Sequence, residues 1–510
     1  MAETPDVVET VKQGYAFDGP ALELGALLVD GTPTVEAAVR IPLSMVNRHG
    51  LVAGATGTGK TKTLQLMAEQ LSAAGVAVFA ADIKGDLSGV SQPGQESEKL
   101  LARTKAIGQE WTAAGFPTEF YALGGQGTGV PIRATITSFG PVLLSKVLGL
   151  NDVQESSLGL IFHYADKNGL TLLDLKDLRA VIQHLTSDEG KADLKELGGL
   201  SSATAGVILR ALIGFADQGA DAFFGEPEFD TADLLQQRDG KGVISLLELP
   251  NLQDRPALFS TFLMWLLADL FHDLPEVGDV DKPKLVFFFD EAHLLFNDAS
   301  KAFLDSIAQT VRLIRSKGVG VFFVTQTPKD VPDDVLAQLG SRVQHQLRAH
   351  TPNDAKALKA TVSTFPKSAY DLGEVLTQLG IGEAIVTVMN EKGAPTPVAW
   401  TRFRAPQSLM APATAEQLAA TVHASPNNAK YSAVVDRESA YEMLAAKVQA
   451  GAEQAEAEAP APQQQEAPRS RKQEKSMVEQ VIGSSAFKQF ARSAGREIVR
   501  GLFGAAKRKR

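Results

Sequence analysis

The chain has 510 residues, 44% of them hydrophobic and 22% charged, with a formal net charge of −10 and no cysteine. That length exceeds what one hydrophobic core accommodates, so a large domain with additions, or two to three domains, is expected. Disulfides and thiolate metal sites are excluded, no His pair stands at ligand spacing beside a carboxylate, and the acidic balance alone argues against a general nucleic-acid binder.

The first residues, Met1 to Asp6, lack the basic start and apolar run of a signal peptide, which predicts a cytoplasmic protein. Residues 1–45 are short segments punctuated by Gly and Pro, and Ala21 to Asp30 and Val35 to Ile41 read as a few strands ahead of the main domain. Gly50 to Ala53 reads as a strand, followed by a glycine-rich loop and a helix with Leu64, Met67, Ala68 and Leu71 on one face, closed by Gly75. Val76 to Ala81 is a continuous apolar run ending in Asp82, as a strand buried on both faces requires. Together these form a βαβ unit.

From Asp82 to the next apparent strand, Gly242 to Leu249, the chain is far longer than the dozen or so residues a crossover needs. Residues 91–239 are therefore expected to be a largely helical insertion, with helices at Pro141 to Leu148, Leu158 to Asn168, Leu172 to Leu185 and Ala203 to Ala216. Alternation then resumes: helix Pro256 to Asp273, strand Lys284 to Phe289, helix Ala299 to Ser316 and strand Gly320 to Thr325. The greasiest stretch, Phe259 to Phe271, contains Asp269 and is too short to span a bilayer, so it reads as a buried helix. This pattern predicts an α/β core at 46–90 and 240–405, a mainly parallel sheet flanked by helices.

Residues 406–451 read as a helical extension with a helix at Ser439 to Ala450, and 452–475 as an unfolded linker centred on the Ala-, Glu-, Gln- and Pro-rich run Ala452 to Pro468. Residues 476–510 regain an amphipathic helical pattern through Val478, Ile482, Phe487, Phe490, Ile498 and Leu502, and no internal repeat is present. Twelve Lys or Arg stand against three Glu between Arg469 and Arg510, so the tail carries about +9 and the remainder about −19. It reads either as a helix packed on the core or as a detachable basic helix for DNA phosphates or an anionic membrane.

Gly54-Ala55-Thr56-Gly57-Thr58-Gly59-Lys60-Thr61 fits the phosphate-binding pattern G-x-x-x-x-G-K-[ST] without a mismatch. Its glycines let successive N–H groups turn inward around phosphates, and the helix that follows offers its positive end. Residues Gly54 to Thr61, with Lys62 after them, are thus expected to hold ATP, Lys60 bridging the β- and γ-phosphates and the Thr61 hydroxyl binding Mg²⁺. Leu285 to Phe289 is an apolar strand ending in Asp290 and Glu291. On its own this could be a buried strand before an acidic helix cap. Beside the loop it predicts Asp290 as a Mg²⁺ ligand and Glu291 as the group that polarises the attacking water. Gln326, ending the strand Gly320 to Thr325, reads as a γ-phosphate sensor or a turn cap. Arg312, Arg315 and Lys317 read as a solvated face or as the source of an arginine reaching a neighbouring subunit's site.

At this point the sequence resembles a known family. Arg48 to Thr61, Asp82-Ile83-Lys84-Gly85-Asp86, Asp290-Glu291-Ala292-His293 and Val324-Thr325-Gln326-Thr327-Pro328 look like the HerA branch of the HerA/FtsK ATPases, and in particular a bacterial HerA-like subgroup, over Val39 to Arg404. The resemblance implies a RecA-like P-loop fold, a hexameric ring with ATP sites between subunits, and DNA translocation as the best-known activity. It matches Arg315 to the trans-acting arginine, with Arg342 and Arg348 as substitutes. The sequence departs from archaeal HerA, which carries a sizeable N-terminal β-barrel where only residues 1–45 precede this core. The expected function is Mg²⁺-dependent ATP hydrolysis coupled to double-stranded DNA. The alternative is an ATP-controlled switch or protein-moving motor that binds a partner or membrane through the basic tail.

Overall fold

A computed structural model of the chain describes residues 6–195, 199–249, 256–297 and 301–457. Twelve strands form one sheet: β1 (Ala21–Val29), β2 (Thr32–Pro42), β3 (Gly50–Ala53), β4 (Ala77–Asp82), β5 (Thr118–Leu123), β6 (Val130–Ile132), β7 (Ile244–Glu248), β8 (Leu285–Phe289), β9 (Val319–Thr325), β10 (Ser341–Gln344), β11 (Glu383–Thr387) and β12 (Ala399–Phe403). Their order is β2-β1-β12-β11-β10-β3-β9-β8-β4-β7-β5-β6. From β10 to β6 all neighbours are parallel, and from β2 to β10 all are antiparallel.

The runs of apolar residues in the central strands follow from burial on both faces. In β8, Phe287 and Phe289 enter the core on one side and Val286 and Phe288 the core on the other, the period of two that a pleated strand imposes. The second side receives helix α2 (Lys60–Ala73) through Leu64, Met67, Ala68 and Leu71 and helix α1 (Val7–Gly14) through Val11. The first receives the helices Pro256–Asp273 and Lys301–Ile314 and the helical insertion.

The insertion helices lie at Ile136–Val147, Asp152–Lys167, Leu175–Thr186 and Ser202–Asp217; the first two start about five and six residues before expectation and the other two within about three of it. Their starts are set by caps that apolar spacing does not show. Asn151 and Asp174 head capping boxes, and Ser201 accepts from Thr204 N–H. The insertion itself is shorter than 91–239, because β5 and β6 lie inside that range and belong to the sheet. Glu119 interrupts the apolar run of β5, and it is buried there because Arg238 pairs with it and Ser425 Oγ donates to it at 2.5 Å.

The N-terminal strands do not stand ahead of the main domain; they pair with β12 and close the antiparallel edge of its sheet. The segment after Arg404 straps across α2. Glu69, buried in α2, accepts the N–H groups of Gln407 (2.8 Å) and Ser408 (3.0 Å), and Trp111 Nε1 donates to Pro406 O at 2.7 Å.

The chain divides into two units, Met1–Gln449 and Ala450–Arg510. The helix expected from Ser439 runs from Ala440 to Ala457, so residues 452–457 are helical where an unfolded linker was expected. Ala, Glu and Gln, which dominate that stretch, are strong helix formers. The rest of the linker and the basic tail at 476–510 lie outside the described residues. No described helix is long and apolar enough to cross a membrane.

Candidate functional site

The parallel strands β3, β9, β8 and β4 lie side by side, and their carboxyl ends carry Gly54, Gln326, Asp290 and Lys84 to one rim of the sheet. Ligands bind on that rim in open α/β sheets because the crevice beyond the strand ends is bounded by helix N-termini. Gly54, Gly57 and Gly59 have φ values of 157°, 83° and 116°, which side chains rarely adopt. Gly54 is fixed a second way, since a Cβ there would lie 2.5 Å from that of His345.

Behind the loop His345 is fully buried, with Nδ1 2.8 Å from Glu383 O and Nε2 2.9 Å from Thr63 Oγ1. A carbonyl only accepts, so Nδ1 carries the proton and Nε2 receives the Thr63 hydroxyl. Burial pulls the imidazole down to about 4 and keeps it neutral next to Lys60.

Lys60 is nearly buried, and its Nζ donates to Gly54 O at 2.7 Å and Ala55 O at 3.3 Å, so the ammonium rests on the loop's own carbonyls. Burial lowers its pKa while Glu291 and Asp290 oppose that. Thr58 Oγ1 donates to Ala55 O at 2.7 Å, while Thr56 and Gly57 are exposed at the loop's tip. Thr61 stands in the first turn of α2. Lys62 turns elsewhere: it donates to Gln65 Oε1 at 3.0 Å, and the carboxylates that hold its charge are Asp86, Asp82 and Glu69.

The two acids are buried, Asp290 to 2% and Glu291 to 5% exposure. Asp290 Oδ1 accepts Glu291 N–H at 2.9 Å, and its Oδ2 has no hydrogen-bond partner among the described residues. Burial, and then Glu291, push the Asp290 carboxyl up to about 7. A buried carboxylate with a bare oxygen beside a hydroxyl-bearing helix start fits Mg²⁺, which takes one or two carboxylates plus phosphate oxygens and water. Among the described residues no cluster of three or more His, Cys, Asp or Glu is arranged to hold a metal. Glu291 Oε1 is paired with Lys84 Nζ, and Oε2 lies 3.3 Å from His293 Nδ1. Burial would raise the Glu291 carboxyl, but Lys84, together with His293 and Lys60, outweighs burial and holds it below the ordinary carboxylate value.

A loop, a lysine and a paired Asp-Glu on one rim are the parts of a nucleoside triphosphatase, and the comparison with known families agrees. The family described as helicase HerA-like C-terminal matches residues 28–510. The chain belongs to that family. It is a P-loop ATPase of the HerA/FtsK type. Among its relatives is the DNA double-strand break repair helicase HerA of Saccharolobus solfataricus, 23% identical over 391 residues, which cover 74% of this chain and 68% of the relative. A probable helicase of Methanocaldococcus jannaschii is 32% identical over 153 residues, 28% of each chain. In fold the chain is similar to the bacterial conjugative coupling protein TrwBdeltaN70 in complex with sulphate, with TM-score 0.51, 16% identity and coverage of 79% of this chain and 94% of that one.

In this HerA-like chain Gln326 is exposed at the end of β9. The cap in that segment is not Gln326 but Thr327, whose side chain accepts from Lys329 N–H while Asp330 reaches back to it. Arg315 stands at the opposite, amino-terminal edge of the sheet, 3.7 Å from exposed Asp279, which also lies 3.5 Å from Arg48. Arg342 donates to Thr364 O at 3.4 Å and Arg348 to Thr56 O at 3.2 Å, so of the three only Arg348 reaches the chain's own loop.

Sequence reading left three residues of this rim without roles: Lys84, His345 and Glu248. Glu248, at the end of β7, is 7% exposed, its Oε1 has no partner among the described residues, and burial with Asp82 and Asp86 nearby pushes it up to about 8. Its value in the folded chain is thus above the roughly 4.3 of an unfolded Glu. The fold holds the proton between those values, so stability falls as pH rises through that window and is unaffected below it. Glu248→Gln should therefore stabilise by at most a few kcal/mol at pH 8 and by almost nothing near pH 4. Thermal melts at both pH values measure this, and a gain independent of pH removes the assignment.

Proposed function

We propose that this chain is a Mg²⁺-dependent ATPase that assembles as a hexameric ring in the cytoplasm and couples hydrolysis to movement or processing of double-stranded DNA. The observation that carries the reading is Glu291 beside Asp290 on the rim that bears Lys60. A kinase has no need of a water-activating carboxylate there, whereas a hydrolase does. ATP would lie with its phosphates against the N–H groups of Gly54 to Thr61, Lys60 leaving the loop carbonyls for the β- and γ-phosphates. Mg²⁺, held by Thr61 and Asp290, would neutralise charge on the phosphates. Glu291 would take the proton of the attacking water, and Gln326, on the adjacent strand end, would register the γ-phosphate.

Arg315 supports assembly. It stands on the edge away from its own site, so an arginine acting on the γ-phosphate from this position must serve another subunit. The charge distribution favours a second reading, a nucleotide switch or protein-moving motor, since the chain outside the basic tail is strongly acidic. Phosphate-release assays with and without duplex DNA, run beside mass measurement in ATP, separate the two. A translocase shows a ring mass and turnover stimulated severalfold by DNA. Slow turnover indifferent to DNA selects the switch.

A further inference from the structure

The segment Asp82-Ile83-Lys84-Gly85-Asp86 follows β4, the strand paired with β8, and the register Ala81 to Phe289 places its start level with Asp290. Asp82 is fully buried and folds the segment back on itself, Oδ1 accepting Gly85 N–H and Oδ2 accepting Leu87 N–H, both at 2.8 Å. Gly85 takes the left-handed conformation this turn needs, at φ 71°. The turn leaves Lys84 between the two, with its ammonium on Glu291 Oε1. Glu291 itself has φ 48°, a conformation that costs a non-glycine residue free energy and persists where surroundings impose it.

The outcome is a division of labour within each acid. Asp290 has one oxygen tied to the backbone and one bare, while Glu291 has Oε1 tied to Lys84 and Oε2 without a hydrogen bond among the described residues, its neighbour there being His293 Nδ1 at 3.3 Å. Glu291 Oε2 is the oxygen left to receive a proton. We propose that Lys84 is a positioning residue for hydrolysis, holding one oxygen of Glu291 so that the other is presented to the attacking water. Asp82 has the supporting part of fixing the turn that carries Lys84. Lys84 is not needed to hold the nucleotide, because the loop amides and Lys60 supply those contacts. The inference rests on the reading of Glu291 as the base.

Full-length protein carrying Lys84→Met should hydrolyse ATP with kcat lowered about 10- to 100-fold, the range for loss of orientation of a general base, while KM and the affinity for a fluorescent ATP analogue stay within about threefold. Lys84→Arg keeps a cation within reach of Oε1 and should recover most of kcat. In nucleotide-free protein, Lys84→Met should lower the melting temperature less when Glu291 is already Gln than when it is Glu, because the pair is the contact being lost. Wild-type kcat in Lys84→Met overturns the proposal. So does weakened analogue binding with kcat unchanged, which makes Lys84 a phosphate ligand, and so does Lys84→Arg that melts normally but turns over as slowly as Lys84→Met. Turnover by Glu291→Gln alone is a separate failure, of the base assignment on which the proposal stands.

Discussion

Glu291→Gln protein should bind ATP as the unaltered chain does and hydrolyse it about 10²- to 10⁴-fold more slowly, the contribution typical of a positioned general base. That loss corresponds to about 3–5 kcal/mol on the barrier. The substitution is nearly isosteric, and the amide oxygen can still accept from Lys84, so the rim keeps its shape and loses only the group that takes the proton. Nucleotide affinity should be spared because the phosphates are held by the loop amides and Lys60. Lys60→Ala should differ on that point, losing affinity together with turnover. Phosphate release measured beside retention of labelled ATP on the protein distinguishes the two variants. Steady turnover by Glu291→Gln would take Glu291 out of the role assigned to it.

The central parallel strands β4, β8 and β9 were legible because they are buried on both faces. Val78 to Ala81, Leu285 to Phe289 and Val321 to Val324 admit no polar residue, so each run reads directly as a central strand. Strands β5 and β11 instead carry polar residues whose burial is settled by distant partners. Glu119 in β5 depends on Arg238 and Ser425, and Glu383 in β11 accepts from Arg402 Nη2 at 2.9 Å and Trp400 Nε1 at 3.1 Å. No local pattern announces such pairings, and the strands were folded into the helical insertion or passed over.

The site divides along the same line. The phosphate loop and Asp290-Glu291 are contiguous motifs whose chemistry is contained in their spacing. Lys84 stood in a noticed motif, but its role needs the knowledge that β4 and β8 are neighbours. His345 carried no signal, since its part is to fill the space behind Gly54 and to receive the Thr63 hydroxyl across the sheet.

Arg315→Ala should bind ATP normally, assemble, and hydrolyse about 10³-fold or more slowly, the range for removing an arginine that acts on the γ-phosphate of another subunit. On the proposed reading this arginine acts from a second subunit. Arg315 precedes β9 and the loop contacts its other end, where Gly54 N–H donates to Thr325 O. The seven residues of β9, at about 3.3 Å each, put roughly 20 Å between them. Within one chain Arg315 is 39% exposed and rests beside Asp279, itself 86% exposed, a contact that solvent screens and that a neighbouring nucleotide could replace. Mixing supplies the decisive measurement. Lys60→Ala subunits keep Arg315, and Arg315→Ala subunits keep the phosphate-binding lysine, so neither ring is active alone. In randomly mixed rings about a quarter of the interfaces join an intact Lys60 to an intact Arg315, and turnover should return in that proportion where sites fire independently. Mixtures as inactive as the separate variants, despite subunit exchange shown by mass, would place the essential arginine elsewhere, with Arg348 above the chain's own loop the first to be replaced.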